Sequence, residues 1–156
     1  VDGRLPRRCW HPTALHHVRL TVTDITRSKA FYTQLLGVGP AIDFVDQAHE
    51  PAARQDPHRF FGGCTYALGS QLLGLRPSAP PGDRFDATRT GLDHVSLAVD
   101  SPDALHRAAD RLGSAGVGHG EVTELGELGI AIPSVQDPDG INLELVATLP
   151  AAGDGS

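Results

Sequence analysis

What this 156-residue chain has little of narrows its chemistry before any motif is considered. It holds one lysine, Lys29, against twelve arginines, and its formal net charge is −6. An acidic balance without a Lys/Arg run offers no electrostatic footprint for nucleic acid. The scarcity of lysine itself reads as genomic composition bias. No apolar run approaches the roughly 20 residues that a membrane-spanning helix needs. Residues 1–14 lack the apolar centre of a signal peptide, so no membrane association and a cytoplasmic location are expected. Cysteine is scarce too: Cys9 and Cys64 could pair only by tying the N-terminal arm down, and two reduced thiols suit a cytosolic chain better. No glycine-rich phosphate loop precedes a helix and no Gly-x-Ser-x-Gly elbow occurs. What remains, 40% hydrophobic and 21% charged residues, describes an ordinary globular chain, either one compact domain or two small modules sharing a core.

What is present is a repeat. Leu15-His16-His17-Val18-Arg19-Leu20-Thr21-Val22 and Leu92-Asp93-His94-Val95-Ser96-Leu97-Ala98-Val99 agree at five of eight positions, and one of the five is a histidine. Core packing explains matching leucines and valines, but not a histidine on the other face of the strand. Each repeat continues into a helical pattern. Ile25 to Leu36 places Ala30, Phe31, Leu35 and Leu36 near one stripe, with Gly37 as a stop. In the second half Ser101 or Asp103 caps a helix that starts at Pro102. Its stripe is Leu105, Ala108, Ala109 and Leu112, ended by Gly113 and Gly116. Three extended pieces follow each helix, near 41–45, 60–68 and 71–76, then near 120–125, 130–135 and 141–147. Gly69-Ser70 and Asp137-Pro138-Asp139-Gly140 mark turns before the last strand of each half.

The predicted class is therefore α+β, two βαβββ modules forming a cupped, mostly antiparallel sheet. A flexible arm spans 1–14, the modules 15–76 and 91–149, a proline-containing linker 77–90, and a tail 150–156. The polar stretch from Gln47 to His58 reads as a mobile loop.

Neighbours along a strand point to opposite faces. Val18, Leu20 and Val22 thus oppose His17, Arg19 and Thr21, while Val95, Leu97 and Val99 oppose His94, Ser96 and Ala98. Leu143 and Leu145 likewise oppose Asn142, Glu144 and Val146. The repeat selects His17 over His16, because His16 aligns with Asp93. Two imidazoles and a carboxylate, His17, His94 and Glu144, are the donor set of a divalent transition-metal site with open positions. An unpaired Glu144 between two core leucines would be costly, so the plain alternative is a structural pair with Arg19 or Arg76. Aligning Leu73-Gly74-Leu75 with Leu143-Glu144-Leu145 puts Gly74 where a second carboxylate would stand. That leaves room for water or substrate, or simply for a bulky neighbour. Arg19, Thr21, Arg76, Ser96 and Asn142 are predicted to line the cup, an arginine orienting an anionic group. His49 and His58 lie in the polar loop, and His11, His106 and His119 lack equivalents in the other half. Tyr32 reads as helix packing, and Asp137-Pro138-Asp139-Gly140 as turn chemistry first.

The segments Leu15-His16-His17-Val18, Ser28 to Gly37, Leu92-Asp93-His94-Val95 and Asp137 to Leu145, in a duplicated βαβββ order, resemble the vicinal oxygen chelate superfamily, also labelled glyoxalase/bleomycin resistance/dioxygenase. The resemblance covers roughly residues 15–147. It implies a metal on the concave face of a cupped sheet, with His17, Gly74, His94 and Glu144 on the family's four ligand strands. Glyoxalase I and methylmalonyl-CoA epimerase types fill all four positions, and Gly74 departs from them. Extradiol dioxygenases and fosfomycin-modifying thiol transferases use two histidines and one glutamate, a better match, although no potassium loop is evident for the latter. The implied function is a metal-dependent enzyme acting on a small oxygen-chelating substrate, with extradiol-dioxygenase-like or lyase/isomerase-like chemistry. Fe(II), Mn(II), Zn(II) or Ni(II) would serve, and a homodimer is implied. The alternative is a metal-free, bleomycin-resistance-type protein that sequesters a drug or natural product. Such proteins usually lack the ligands and stack drugs on aromatics, which make up only 5% of this chain.

Overall fold

The computed structural model describes residues 11–151; Cys9, and with it the question of its pairing, lies outside them, as do most of the predicted arm and tail. Two mixed sheets, each backed by a helix, make up the α+β fold. The first contains β1 (His17–Thr21), β2 (Ile42–Asp43), β3 (Cys64–Leu68) and β4 (Gln71–Arg76), in the order β1-β4-β3-β2, with α1 (Ile25–Leu36) crossing over between β1 and β2. The second contains β5 (Val95–Ala98), β6 (Thr123–Leu125), β7 (Ile130–Ile132), β8 (Ser134–Gln136) and β9 (Asn142–Thr148), with α2 (Pro102–Ser114) after β5. Its order is β5-β9-β7-β6, and β8 also pairs with β9. β7 and β8 are one strand in register, since Ala131 faces Ala147 and Ser134 faces Glu144. Pro133 interrupts it because it has no N–H to give, although its carbonyl still accepts from Leu145 N at 3.1 Å. Each half thus repeats the other's strand order. β1 runs parallel to β4 and β5 parallel to β9, and every other pairing is antiparallel.

Local chemistry sets the helix ends. The Asp24 carboxylate accepts from Arg27 N and Gly37 closes α1 in the left-handed region at φ 69°, its N–H returning to Thr33 O. Ser101 caps α2 through Ala104 N. α2 ends at Ser114, between the two expected stops Gly113 and Gly116, the latter in the left-handed region. The buried stripe of α2 is Leu105, Ala109 and Leu112, as its pattern predicts, but α1 buries Ile25, Ser28, Tyr32 and Leu35 and exposes Ala30.

Leu20, Val22, Leu73, Leu75, Leu143, Leu145 and Ala147 form one continuous core with residues of both helices. The helix-covered faces of the two sheets are joined through the Asp137–Gly140 turn, which is far more than a turn. Asp139 accepts from Thr23 N (2.8 Å), Thr23 Oγ1 (2.5 Å) and Arg27 Nη2 (2.8 Å). Asp137 accepts from Tyr32 Oη at 3.2 Å and from the backbone of Asp139 and Ile141. From the other side, Phe85 N reaches Asp139 O and Arg84 Nη1 reaches Pro138 O.

Candidate functional site

The open faces carry what the helix-covered faces cannot bury. Alternation along β1 turns His17, Arg19 and Thr21 outward and buries Leu20. On β9, Asn142, Glu144 and Val146 are half-buried between buried Leu143, Leu145 and Ala147. His94 lies one residue ahead of β5 rather than within it, yet stays exposed like Ser96 and Ala98.

In register, Ser96 faces Glu144 and Arg19 faces Gly74. The two pairs are equivalent in the repeat, so Gly74 does occupy the position that corresponds to Glu144. Its missing side chain has a local reason: a Cβ at Gly74 would lie 3.2 Å from Arg19 Nε and 3.5 Å from Thr65 Oγ1. Arg19 occupies the space that a second carboxylate would need.

Glu144 Oε1 accepts from Ser96 Oγ at 2.8 Å. Neither Arg19 nor Arg76 pairs with it, so the structural Glu–Arg alternative is not realised. His94 Nδ1 donates to Asp93 Oδ1 at 2.6 Å. A carboxylate acceptor requires the proton on Nδ1, which leaves Nε2 as a lone pair. The same hydrogen bond is the main reason the His94 imidazole titrates above its ordinary value; partial desolvation opposes the rise and Glu144 reinforces it. His17 Nδ1 lies 2.9 Å from His16 Nδ1, so one of the two donates to the other. His16 therefore acts as a neighbour of the candidate ligand.

The donor set suits a divalent transition ion in kind, and the structure brings it together in pairs. His94 and Glu144 line a cavity of about 680 Å³ together with His119, Gln136 and Asn142. His17 and His94 line a narrower one of about 250 Å³ along the seam between β1 and β5, whose apolar walls include Leu15, Leu72 and Leu92. Among the described residues no three His, Cys, Asp or Glu side chains converge closely enough to hold a metal ion.

The predicted substrate-lining residues separate likewise. Ser96 and Asn142 flank Glu144, and Asn142 Oδ1 accepts from Gln136 Nε2 at 3.1 Å. Thr21 lines a cleft under the 77–90 segment with Arg84, Phe85 and Asp139. Arg19 and Arg76 gather around Phe60 and Phe61. Sequence patterns missed those two rings, since Phe60 was expected to open a strand. Instead β3 starts at Cys64, and residues 57–62 form a kinked turn with Phe60 and Phe61 in the left-handed region. The Gln47–His58 stretch is likewise not featureless, for short 3-10 turns occupy 45–47 and 53–55.

The sequence profile described as the Glyoxalase/Bleomycin resistance protein/Dioxygenase superfamily matches residues 14–145. The chain belongs to this superfamily. Solved structures of the superfamily share the fold. A glyoxylase/bleomycin resistance protein/dioxygenase domain from Frankia sp. EAN1pec is 27% identical over 90% of this chain and 96% of its own, with a TM-score of 0.68. A glyoxalase/dioxygenase from Nostoc punctiforme is 23% identical over 96% and 99%, TM-score 0.61. A lactoylglutathione lyase from Agrobacterium tumefaciens is 18% identical over 87% and 94%, TM-score 0.61. No curated protein matches the chain. No helix among the described residues is long and apolar enough to cross a membrane.

Proposed function

We propose that this glyoxalase-superfamily protein is a metal-dependent enzyme acting on a small substrate that chelates through neighbouring oxygens. His17, His94 and Glu144 are the proposed ligands, and Arg19, Thr21, Arg76, Ser96 and Asn142 the proposed substrate contacts. The observation that carries this reading is the Asp93–His94 hydrogen bond. It fixes the tautomer that offers Nε2 on the surface bearing Glu144, the outer-shell arrangement typical of ligating histidines. Ser96 does the same service for Glu144 by occupying Oε1. A divalent ion held there, Fe(II), Mn(II), Zn(II) or Ni(II), would supply Lewis acidity toward a chelating oxygen and leave positions open because Gly74 offers no fourth donor. The residues' own part is to bind and orient: the arginines take an anionic group, and Ser96 and Asn142 hold polar atoms beside Glu144. Extradiol-dioxygenase-like chemistry fits the two-histidine, one-glutamate set better than lyase/isomerase-like chemistry. A cytoplasmic homodimer completes the proposal.

Metal analysis of protein purified without chelator or histidine tag tests it. Near-stoichiometric transition metal, or saturable uptake on titration that is lost in His94→Ala with the fold intact, is the expected result. Less than about a tenth of an equivalent, with no uptake on titration, overturns it. The second reading, a metal-free binding protein for a drug or natural product, is favoured by one observation: no three donors converge among the described residues.

A further inference from the structure

The open face of the first sheet carries Arg19 and Arg76, proposed above as substrate contacts, in a cluster that the metal donors do not share. The guanidinium carbons of Arg19 and Arg76 lie 5.8 and 3.7 Å from the centroid of the same ring, Phe61, and Arg19 also lies 5.7 Å from that of Phe60. Two like charges gathered at one ring repel each other unless an anion offsets them. Among the described residues no carboxylate lies within salt-bridge distance of either arginine. Arg76 Nε is buried without a hydrogen-bond partner, and so is Thr65 Oγ1, which stands on β3 opposite Gly74. Such orphaned atoms keep an uncompensated desolvation cost, and a native protein tolerates them where something else completes them.

The rings are held at a further cost. Phe60 and Phe61 adopt φ of 47° and 58°, a region that bulky L-residues avoid and that is found mostly at ligand sites and switches. Phe60 is braced by stacking on Phe44, with centroids 6.1 Å apart and planes 9° from parallel. Gly74 keeps the place of Arg19 clear.

We propose that Arg19 and Arg76, backed by Phe60 and Phe61, form a clamp for the carboxylate of a small, largely apolar ligand. Planar guanidinium groups match a carboxylate in a way that a lysine would not. The charges set polarity: the carboxylate is drawn to Arg19 and Arg76, and the ligand's neutral end points away from them. What that neutral end meets rests on the proposed function; the clamp itself needs no metal.

Calorimetric titration of EDTA-treated, full-length protein with benzoate, and with benzamide as its uncharged isostere, tests the clamp. Benzoate is expected to saturate at one site, with benzamide at least about tenfold weaker. Arg19→Gln and Arg76→Gln should each weaken benzoate at least about tenfold, whereas Arg107→Gln, an exposed charge on α2, should not. Should Arg76→Gln fail to fold, Arg19→Gln and Arg19→Lys decide, the latter keeping the charge but losing the planar fork. The clamp is overturned by equal affinity for the two probes, by no saturation up to about 50 mM benzoate, or by unchanged affinity in Arg19→Gln. Because no metal is present, benzoate binding by a chain that takes up no metal would support the clamp and overturn the enzyme reading.

Discussion

At the scale of single residues, the neighbourhood of Gly74 and the burial of Cys64 decide most. Cys64 is 1% exposed, and burial, with the Asp43 carboxylate adding to it, pushes its thiol up to about 11. At pH 8 it should therefore hold roughly a hundredfold less thiolate than a free cysteine. In a Cys9→Ser background the native protein should leave a disulfide reagent such as DTNB almost unreacted and release one thiol only in guanidinium. Rapid release from the native state would mean that β3 opens locally. Gly74 makes a different point about legibility. The alignment of Leu73-Gly74-Leu75 with Leu143-Glu144-Leu145 was readable because both leucine pairs are core residues with a period of two. Whether the glycine served an open site or a bulky neighbour was not readable, because the answer lies in a side chain on another strand. Arg19 fills that space.

At the scale of elements, helices and core strands were legible and irregular segments were not. α1 matches its predicted span because Gly37, the stop read from the sequence, acts within four residues; the Asp24 cap does the same at the start but was not read. The Asp24 cap is open to a direct test. α1 has no acidic residue in its first turn, so Asp24 alone offers both a side-chain acceptor and a negative charge to the helix N-terminus. Asp24→Ala should cost about 1 kcal/mol and Asp24→Asn only a few tenths, read from urea unfolding midpoints; equal losses would mean that the cap contributes little. The split of the 130–135 strand at Pro133 was readable in principle, since proline cannot donate to a ladder. The left-handed pair Phe60 and Phe61 was not. Aromatic residues before β3 look like strand, whereas the hydrogen bonds Phe61 N to Asp56 O and Gly63 N to Phe60 O, with contacts to Arg19, Arg76 and Phe44, hold them otherwise.

At the scale of the whole molecule, the two halves are locked by a four-residue turn. Asp139, 4% exposed, accepts three hydrogen bonds from Thr23 and Arg27 in the other half. Asp139→Ala should destabilise the protein by about 2–4 kcal/mol, since it strands donors around a buried carboxylate site; Asp83→Ala, on the exposed linker, should be near neutral. Its neighbour Asp137 gives the pH dependence. Burial raises the Asp137 carboxyl above the ordinary carboxylate value, although hydrogen bonds from Ile141 N, Asp139 N and Tyr32 pull it back. A raised folded value means that the folded state holds the proton more tightly than the unfolded chain. The contribution of this group to stability is thus fully present below about pH 4 and is lost as pH rises through the raised value. Asn at 137 keeps an acceptor for the two backbone N–H groups but cannot ionise, so Asp137→Asn removes that slope. Urea unfolding from pH 4 to pH 7 should show the stability of the wild type, relative to Asp137→Asn, declining as pH rises. A constant difference would mean that the Tyr32 hydroxyl and the backbone donors compensate the buried charge in full.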